Sequence, residues 1–199
     1  MKPFAESSEQ NKHAILGVLQ DEFAQVQNVL EIGSGTGQHA VFFAAQLSHL
    51  RWHASDVVEN LPGITLWLSE YRGNNLSGPY ALDVTQAAWP LDQVDAVYSA
   101  NTAHIMHWPA VQAMFTGIGQ ILQQGGLFCL YGPFNYHGAY TSESNARFDA
   151  WLKARDPLSG VRDVDDLGEL GAGAGLQLVR DHPMPANNRT LVWEKIAAT

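Results

Sequence analysis

A short apolar run, an acidic residue and three alternating glycines stand together between Val29 and Gly37 of this sequence. Glycines at this spacing let the backbone turn tightly and approach a ligand closely, as in the nucleotide-binding loops of α/β proteins. The acidic residue is Glu31, and no Lys or Arg occurs from there to Leu50. Because a diphosphate prefers basic or neutral surroundings, this corner favours a nucleoside that carries positive charge. S-adenosylmethionine, which has a sulfonium and an ammonium group, is the cofactor that we predict.

Two other nucleotide-binding patterns compete for the same glycines. A phosphate-binding P-loop needs Gly-Lys followed by Ser or Thr, whereas Gln and His follow the last glycine, so that interpretation fails. A dinucleotide fingerprint of the form G-x-G-x-x-A fits from Gly35 to Ala40, and Asp56 lies at a suitable distance to bind a ribose. This frame leaves Gly33 without a role and sets Glu31 against a pyrophosphate. A nicotinamide-dependent oxidoreductase is therefore the less favoured alternative.

Acidic residues near the ends of two further strands complete the predicted cofactor site. Asp56 ends one strand and is expected to bind the ribose diol, and Asp83, near the end of the next, is expected to accept a hydrogen bond from the adenine amino group. The carboxyl ends of parallel strands meet at one edge of an open α/β sheet, where ligands bind. The predicted cofactor-binding residues are Glu31, Gly33, Ser34, Gly35, Gly37, Asp56, Asp83, Val84 and Asn101.

A histidine-containing segment follows the predicted strand 94–100, toward which the reactive methyl group should project. His104 is the first candidate for a general base, and His107 is the second. Tyr136, which follows the next strand at the same sheet edge, is the third predicted catalytic residue. The spacing of the two histidines also occurs in metal sites, but no Asp, Glu or Cys nearby completes a set of ligands. We therefore predict no metal site.

A further group of polar and aromatic residues is predicted to contact the methyl acceptor. Arg147 lies beside the polar segment 132–144, and its guanidinium suits a substrate carboxylate. Trp108 offers a ring face to a cation or an aromatic group. Asparagine side chains at the same edge orient polar substrates or satisfy the geometry of turns. The predicted substrate-binding residues are Asn135, Arg147, Asn187, Asn188 and Trp108, and the predicted partner is a small molecule.

Alternating strand and helix patterns position these residues. The predicted strands are 29–32, 51–56, 80–84, 94–100, 127–131, 176–182 and 190–196. The predicted helices are 9–25, 38–50, 61–71, 109–123, 145–155 and 164–172. Such alternation is typical of a parallel sheet with helices on both faces, whereas the last two strands lie close in sequence and should form an antiparallel hairpin. The predicted fold is a doubly wound α/β sheet, mostly parallel, that ends in this hairpin.

Length and charge limit the classes of function. The 199 residues suit one domain, 1–199, in which residues 1–26 form a helical cover and residues 132–163 form a lid or substrate region after the fifth strand. The formal net charge is −9, and there is no basic run, so we expect no nucleic-acid partner. There is no apolar leader and no stretch long enough to span a bilayer. We therefore expect a cytoplasmic protein without a membrane partner.

The segment from Glu31 to Gly37 resembles motif I of the class I S-adenosylmethionine-dependent methyltransferases. Over nearly its whole length, the chain also resembles a small methyltransferase-like family within that group. The blocks that carry this resemblance are 31–39, 82–84, 131–133, 144–145 with 148–149, 155–157, 161–163 and 184–188. The resemblance implies a Rossmann-like sheet of seven strands with the hairpin last. It also implies cofactor-binding roles for Glu31, Gly33, Asp56 and Asp83.

Two residues depart from the pattern of that family. Gln10 replaces an expected Arg, and Ser159 replaces an expected Trp. Both lie where a lid or a substrate wall is expected, so the resemblance does not extend to the identity of the substrate.

The sequence therefore predicts an enzyme that transfers a methyl group from S-adenosylmethionine to a small molecule by in-line displacement, with His104 as general base. The first helix and the segment 132–145 are expected to close over the site and exclude water. The alternative from another class is a non-enzymatic S-adenosylmethionine sensor, or a protein that supports a partner. Such a protein keeps the glycine corner but needs no base, so replacing His104 with Ala would leave its activity intact.

Overall fold

The structure, a computed structural model, describes residues 1–197; the last two residues of the predicted 1–199 domain, Ala198 and Thr199, lie outside the described residues. Within the described range, the strands in chain order are β1 (Asn28–Ile32), β2 (Arg51–Asp56), β3 (Leu76–Ala81), β4 (Val94–Ala100), β5 (Leu122–Gly132), β6 (Phe134–Asn135), β7 (Arg162–Asp163), β8 (Leu176–Met184) and β9 (Asn188–Lys195).

Seven of these strands form one sheet in the order β3-β2-β1-β4-β5-β9-β8. Strands β1 to β5 pair in parallel, whereas β9 is antiparallel to both β5 and β8. The order reverses at β1 and β4, which are neighbours although two strands and their helices separate them in the chain. Ligands of such sheets bind beside this switch point, at the carboxyl ends of the strands. The predicted α/β fold, with its C-terminal antiparallel hairpin, is confirmed.

The helices lie between the strands as the alternating pattern predicted. They are α1 (Glu6–Glu22), α2 (Gln38–Gln46), α3 (Leu61–Leu68), α4 (Trp108–Ile121), α5 (Glu143–Arg155) and α6 (Val164–Gly173), with short 3₁₀ turns at Val58–Asn60 and Pro185–Asn187. Among residues 1–197, none of the helices is both long enough and apolar enough to cross a bilayer.

The sheet has an apolar layer on each face. Successive residues of a strand point to opposite faces, so Val97 and Phe128 belong to the layer covered by α4 and α6. Tyr98 and Cys129, their neighbours in sequence, belong to the layer covered by α1, α2 and α3. Because the second half of β5 is buried on both sides, residues 127–131 appear in the sequence as a continuous apolar run. This sandwiching holds the carboxyl ends of the central strands in place beneath the site.

The segment between β5 and α6 contains an additional small sheet. In it, β6 pairs in parallel with β7, with Phe134 opposite Arg162 and Asn135 opposite Asp163. This pairing joins the two ends of the predicted region 132–163, and α5 lies between them. Strands of two residues carry too little pattern to be predicted, and the pairing depends on contacts between distant parts of the chain.

Several predicted elements differ in extent from the observed ones; the largest difference is at β5, which begins at Leu122, within the predicted helix 109–123, rather than at residue 127. The first helix begins at Glu6 rather than at residue 9, and α2 ends at Gln46 rather than at residue 50. The third strand spans Leu76–Ala81, whereas residues 80–84 were predicted. The observed strand includes Gly78 and Pro79, and β3 is the edge strand of the sheet, where proline is tolerated.

Candidate functional site

The glycine loop between β1 and α2 is stabilised by its own backbone. The N–H groups of Gly33 and Ser34 both donate to the carbonyl of Ser55, at 3.0 and 2.9 Å, and the N–H of Gly37 donates to the carbonyl of Ser34 at 2.8 Å. Gly33, Gly35 and Gly37 have φ values of +73°, +60° and +91°, which residues other than glycine rarely adopt. These three N–H groups of the loop are thus already engaged within the protein.

Asp56, the last residue of β2, bonds to this loop through one carboxylate oxygen and to residues that follow the strand through the other. Oδ2 accepts a hydrogen bond from the N–H of Gly35 at 2.7 Å. Oδ1 accepts from the N–H of Val57 at 2.8 Å and from the side chain of Asn60 at 2.9 Å. The side chain is buried and lines a cavity. Since a carboxylate oxygen has two lone pairs, Oδ2 retains capacity to accept a further hydrogen bond from a ligand hydroxyl.

Glu31 lies directly behind the loop and is almost fully buried, with 2% of its surface exposed. Its Oε2 accepts from the hydroxyl of Ser34 at 2.8 Å and from the indole N–H of Trp52 at 3.0 Å. Burial raises the pKa of Glu31 to about 7, and these two hydrogen bonds oppose that rise. A buried acid with a pKa near neutrality gains its negative charge readily when a cation binds close by.

The loop and Asp56 form one wall of a cavity of about 660 Å³ at the carboxyl ends of β1, β2 and β4. Two carboxylates, those of Asp56 and Glu59, lie in its lining, which contains no Lys or Arg. We call it the larger cavity. Its lining residues are Pro3, Ala5, Ser7, Ser8, Gly33, Ser34, Gly35, Thr36, His39, Asp56, Val57, Glu59, Asn60, Gly63, Ala100, Asn101, Thr102, Ile105 and Met106.

Two glycines of the loop face different surroundings, which leads to the first testable prediction. A Cβ atom on Gly33 would lie 2.5 Å from Cγ2 of Thr102, whereas a Cβ on Gly35 would meet nothing within 4 Å. Gly33→Ala is therefore expected to lower the free energy of unfolding by about 2–3 kcal/mol, from backbone strain and the clash together. Gly35→Ala should lower it by only about 1 kcal/mol, from strain alone. Urea unfolding measures both values, and equal losses would contradict the prediction.

A second cavity, of about 410 Å³, adjoins the larger one, and Ser7 and Asn101 line both. We call it the smaller cavity. None of its lining residues carries a formal charge; they contribute amides, hydroxyls and apolar groups. These residues are Ser7, Gln10, Asn11, Ala14, Asn101, Tyr131, Pro133, Ser144, Asn145, Phe148, Pro185, Ala186 and Asn188.

Contacts between α5 and the turn before β9 hold one wall of the smaller cavity. The side-chain amide of Asn145 donates to the carbonyl of Asn187 at 3.1 Å, and the side-chain amide of Asn187 donates to the hydroxyl of Ser144 at 3.0 Å. Ala186 and Asn187 both have positive φ, of 57° and 59°. A left-handed alanine costs about 1–2 kcal/mol, so these contacts must stabilise a strained turn. The turn held in this way places Pro185 and Ala186 in the cavity lining.

The predicted cofactor-binding residues separate into three groups. Gly33, Ser34, Gly35, Asp56 and Asn101 line the larger cavity, and Glu31 and Gly37 lie immediately behind its wall. Val84 is buried in the apolar core. Asp83 is exposed, and its carboxylate accepts from the N–H and the hydroxyl of Thr85 at 2.9 and 2.7 Å. Because β3 ends at Ala81, the structure places Asp83 in a turn beyond the strand and outside the cavity lining.

The three predicted catalytic residues do not meet. His104 packs edge-on against Phe148, with ring centroids 5.2 Å apart, and burial lowers its pKa to about 4. His107 is half-exposed and bonded to Asp156 at 2.6 Å. The hydroxyl of Tyr136 donates to Asp181 at 2.8 Å. None of the three lines either cavity, so the geometry gives no support to the predicted general base. The described residues also contain no cluster of three or more metal-ligating side chains.

Most predicted substrate-binding residues also lie elsewhere. Arg147 is exposed on α5, 3.6 Å from Glu143, and the ring of Trp108 is covered by the guanidinium of Arg162 at 5.7 Å. Asn135 lines neither of the two cavities. Asn187 supports the wall described above, and only Asn188 lines the smaller cavity. Arg147 faces solvent and Asn187 bonds to Ser144, whereas Asn135 and Trp108 line a separate cavity of about 540 Å³. Oδ1 of Asn135 is buried and has no hydrogen-bond partner among the described residues.

Several residues that the sequence interpretation did not assign to the site are brought there by the fold. The ring of His39 bonds through Nε2 to the carbonyl of Ser8 at 3.2 Å and to Oδ1 of Asn11 at 2.8 Å, and through Nδ1 to the hydroxyl of Tyr98 at 3.2 Å. Tyr131, Asn145 and Phe148 line the smaller cavity. The polar pair Gln38-His39 directly after the glycine loop was the available signal, since polar residues at a buried helix start need partners.

The chain matches the profile of a protein family over residues 2–195; that family is described as "Protein of unknown function (DUF938)". The fold is similar to that of several solved structures. The S-adenosylmethionine-dependent methyltransferase SibL, in its apo form, superposes with a TM-score of 0.80 at 19% identity, over 96% of this chain and 56% of that one. Human N-acetylserotonin methyltransferase in complex with S-adenosylmethionine gives 0.80 at 13% identity, over 96% and 53%.

A third similar structure is NcsB1, an O-methyltransferase from neocarzinostatin biosynthesis, in complex with S-adenosylmethionine and 2-hydroxy-5-methyl naphthoic acid. Its TM-score is 0.76 at 16% identity, over 96% of this chain and 55% of that one. The chain therefore spans about half the length of these proteins. At these identities, the similarity shows a shared fold.

Proposed function

Because the chain belongs to the family described as Protein of unknown function (DUF938), its function must be inferred from its site, and we propose that it is an S-adenosylmethionine-dependent methyltransferase acting on a small molecule. The observation that carries this proposal is the charge of the larger cavity. Its lining holds the carboxylates of Asp56 and Glu59 and no cationic side chain, and buried Glu31 lies behind it. This field favours a cationic nucleoside over a dinucleotide with two phosphates.

The shape of the larger cavity fits the same cofactor. Gly35 leaves open space where a Cβ atom would stand, so the backbone forms a cradle that a ligand can approach closely. Oδ2 of Asp56 would accept from a ribose hydroxyl, and Glu31 with Ser34 would lie on the side of the ammonium group. Asn101 lines both cavities and would mark the position at which the two ligands meet.

The similar structures support the proposal at the level of fold. Two of them contain S-adenosylmethionine, in proteins described as methyltransferases. The dinucleotide alternative is weakened by the loop itself, because the N–H groups of Gly33, Ser34, Gly35 and Gly37 all donate to acceptors within the protein. A pyrophosphate would have to compete with these hydrogen bonds.

When bound, S-adenosylmethionine supplies a methyl group on a positively charged sulfur, which a lone pair of an acceptor displaces in line. The residues of this chain would act by position and by exclusion of water. Helix α1 covers the site, because Ala5 donates its N–H to Oε1 of Gln38 at 2.6 Å and His39 bonds to Ser8 and Asn11. Tyr131 is the sole Tyr, Asp, Glu, Lys, Arg, Cys or His in the smaller cavity's lining, and burial raises its pKa. We therefore assign no general base.

Calorimetric titration tests the cofactor directly. The protein should bind S-adenosylmethionine and S-adenosylhomocysteine, and its affinity for NAD should be lower than its affinity for either of them. Gly35→Ala should weaken S-adenosylmethionine binding by about tenfold or more, because the added methyl group enters the cradle. The matched control is Gly125→Ala, which also has positive φ and open space around a Cβ but lies at the opposite end of β5.

Binding of NAD alone would overturn the methyltransferase proposal and return the glycine loop to the dinucleotide interpretation. If Gly35→Ala and Gly125→Ala lose affinity equally, the glycine loop is not part of the site that binds S-adenosylmethionine. If S-adenosylmethionine binds as expected, transfer of its labelled methyl group to a panel of small molecules is the second measurement. That step distinguishes an enzyme from a sensor of the cofactor.

A further inference from the structure

The smaller cavity has a composition that selects ligands by charge. Its lining contains five side-chain amides and no formally charged group, and it adjoins the larger cavity through Ser7 and Asn101. A cavity of about 410 Å³ lies within the range of small-molecule sites. Moving an ion into such a site without a counter-charge costs several kcal/mol, whereas a neutral polar molecule finds hydrogen-bond partners there. The amides and hydroxyls therefore suit an uncharged ligand.

A hydrogen-bond network beside this cavity has a defined direction. Burial lowers the pKa of His39 to about 4, so its ring is neutral near pH 7 and carries one proton. The carbonyl of Ser8 can only accept, so that proton lies on Nε2, which donates to Ser8 and to Oδ1 of Asn11. Nδ1 then accepts from the hydroxyl of Tyr98. Both nitrogens of His39 are thus engaged, and the amide NH₂ of Asn11 is left to donate.

Tyr131 lies in the wall of the smaller cavity. Burial raises the pKa of its phenol, so the hydroxyl keeps its proton near pH 7. This hydroxyl therefore has a proton to donate to a group in the cavity. A ligand in the cavity therefore meets a donor at this position.

We infer that the smaller cavity binds the methyl acceptor as an uncharged, flat molecule that presents a carbonyl or another lone-pair atom to the hydroxyl of Tyr131. The identification of the ligand as a methyl acceptor rests on the proposed function. The class of ligand, an uncharged polar molecule, follows from the lining of the cavity alone. Phe148, Pro133 and Pro185 supply the apolar surfaces for the flat part of the molecule. Tyr131 acts here as a binding residue that selects a hydrogen-bond acceptor.

Three probes of nearly equal shape test the ligand class: benzamide, which is neutral, benzoate, which is an anion, and benzamidine, which is a cation. Dissociation constants are measured by saturation-transfer NMR on the full chain, with and without saturating S-adenosylhomocysteine. We expect benzamide to bind at least about tenfold more tightly than either charged probe. Tighter binding of benzoate or benzamidine, or no binding of benzamide at millimolar concentration, would overturn the inference.

The variant Tyr131→Phe tests the donor. It should weaken benzamide binding by about 3- to 10-fold, the effect of one lost hydrogen bond, and leave the affinity for S-adenosylhomocysteine unchanged. Tyr71→Phe is the matched control, because the Tyr71 hydroxyl bonds to Asn75 and lies outside both cavities. Equal benzamide affinity in Tyr131→Phe and the unsubstituted protein would overturn the role of Tyr131.

The two proposals fail in different ways. If S-adenosylhomocysteine does not bind but benzamide binds in a Tyr131-dependent manner, the methyltransferase proposal is wrong and the ligand class of the smaller cavity stands. If S-adenosylhomocysteine binds and benzamide does not, the ligand class is wrong and the cofactor proposal stands.

Discussion

Replacing Asp56 with Asn is expected to weaken S-adenosylmethionine binding by about 10- to 100-fold, the effect of losing a charged hydrogen-bond acceptor. Both oxygens of Asp56 face donors: Oδ2 faces the N–H of Gly35, and Oδ1 faces the N–H of Val57. An amide NH₂ in place of either oxygen would oppose one of these donors. The substitution thus removes the acceptor proposed for the ribose and loosens the loop that surrounds it. Calorimetric titration of the variant measures the change.

The control for this prediction is Asp92→Asn, which removes a carboxylate from an exposed position outside both cavities. It should change the affinity for S-adenosylmethionine by less than about twofold, because exposed charges are screened by solvent and salt. Thermal unfolding of both variants separates loss of binding from loss of structure. If Asp56→Asn binds S-adenosylmethionine as tightly as the control does, Asp56 is not the ribose-binding residue.

Raising the pH from about 4.5 to above 7 is expected to lower the free energy of unfolding by about 3 kcal/mol through Glu31 alone. The folded protein keeps the proton of this buried acid up to a pKa of about 7, whereas the unfolded chain loses it near the ordinary glutamate pKa of 4.5. Since the native state binds more protons in this window, stability falls as pH rises. The contribution is fully present below the unfolded pKa and is lost once pH passes the folded pKa.

Urea unfolding at several pH values between 4 and 8 tests this effect against Glu31→Gln. A glutamine has no proton to lose, and its Oε1 can still accept from Ser34 and Trp52. The variant should therefore be more stable than the unsubstituted protein above pH 7, and the difference should shrink toward pH 4.5. Parallel pH profiles for the two proteins would show that Glu31 does not titrate in this window.

The same acid offers a link between folding and ligand charge. A cation bound in front of Glu31 favours its ionised form, so binding of S-adenosylmethionine near pH 6 should release a proton. A cofactor site built on a destabilising buried acid follows a general pattern, in which binding sites hold groups that lower the stability of the free protein. The negative charges of Glu31 and Asp56 would then stabilise the bound cationic ligand.

Local patterns were sufficient to predict the fold and the position of the glycine loop. The glycine spacing specifies positive φ at Gly33, Gly35 and Gly37, and alternating strands and helices specify a mostly parallel sheet. The parallel sheet in turn brings the ends of β1, β2 and β4 to one edge, which is why Asp56 and Asn101 line the same cavity as the loop. Each of these steps depends on residues that are close in sequence or on a general rule of topology.

The predicted site residues that line neither cavity include side chains whose partners are distant in sequence. Placement after a strand predicted exposure to a ligand for His104, but Phe148 on α5 covers its ring. Trp108 was predicted to offer a free ring, but Arg162 from β7 lies over it. The local sequence around a polar or aromatic residue near a strand end does not show whether another part of the protein will contact its side chain.

The sequence by itself determined the fold, the position of the glycine loop and the sign of charge around it, because periodicity, glycine spacing and composition act over short stretches of chain. Only the tertiary structure decided the smaller cavity, since its walls come from α1, the ends of β4 and β5, α5 and the turn before β9. Its uncharged lining and the hydrogen bonds that join Tyr98, His39 and Asn11 exist only after these segments meet. The class of ligand depends on side chains that come from distant segments and meet in space, and a local sequence pattern does not show which of them will meet.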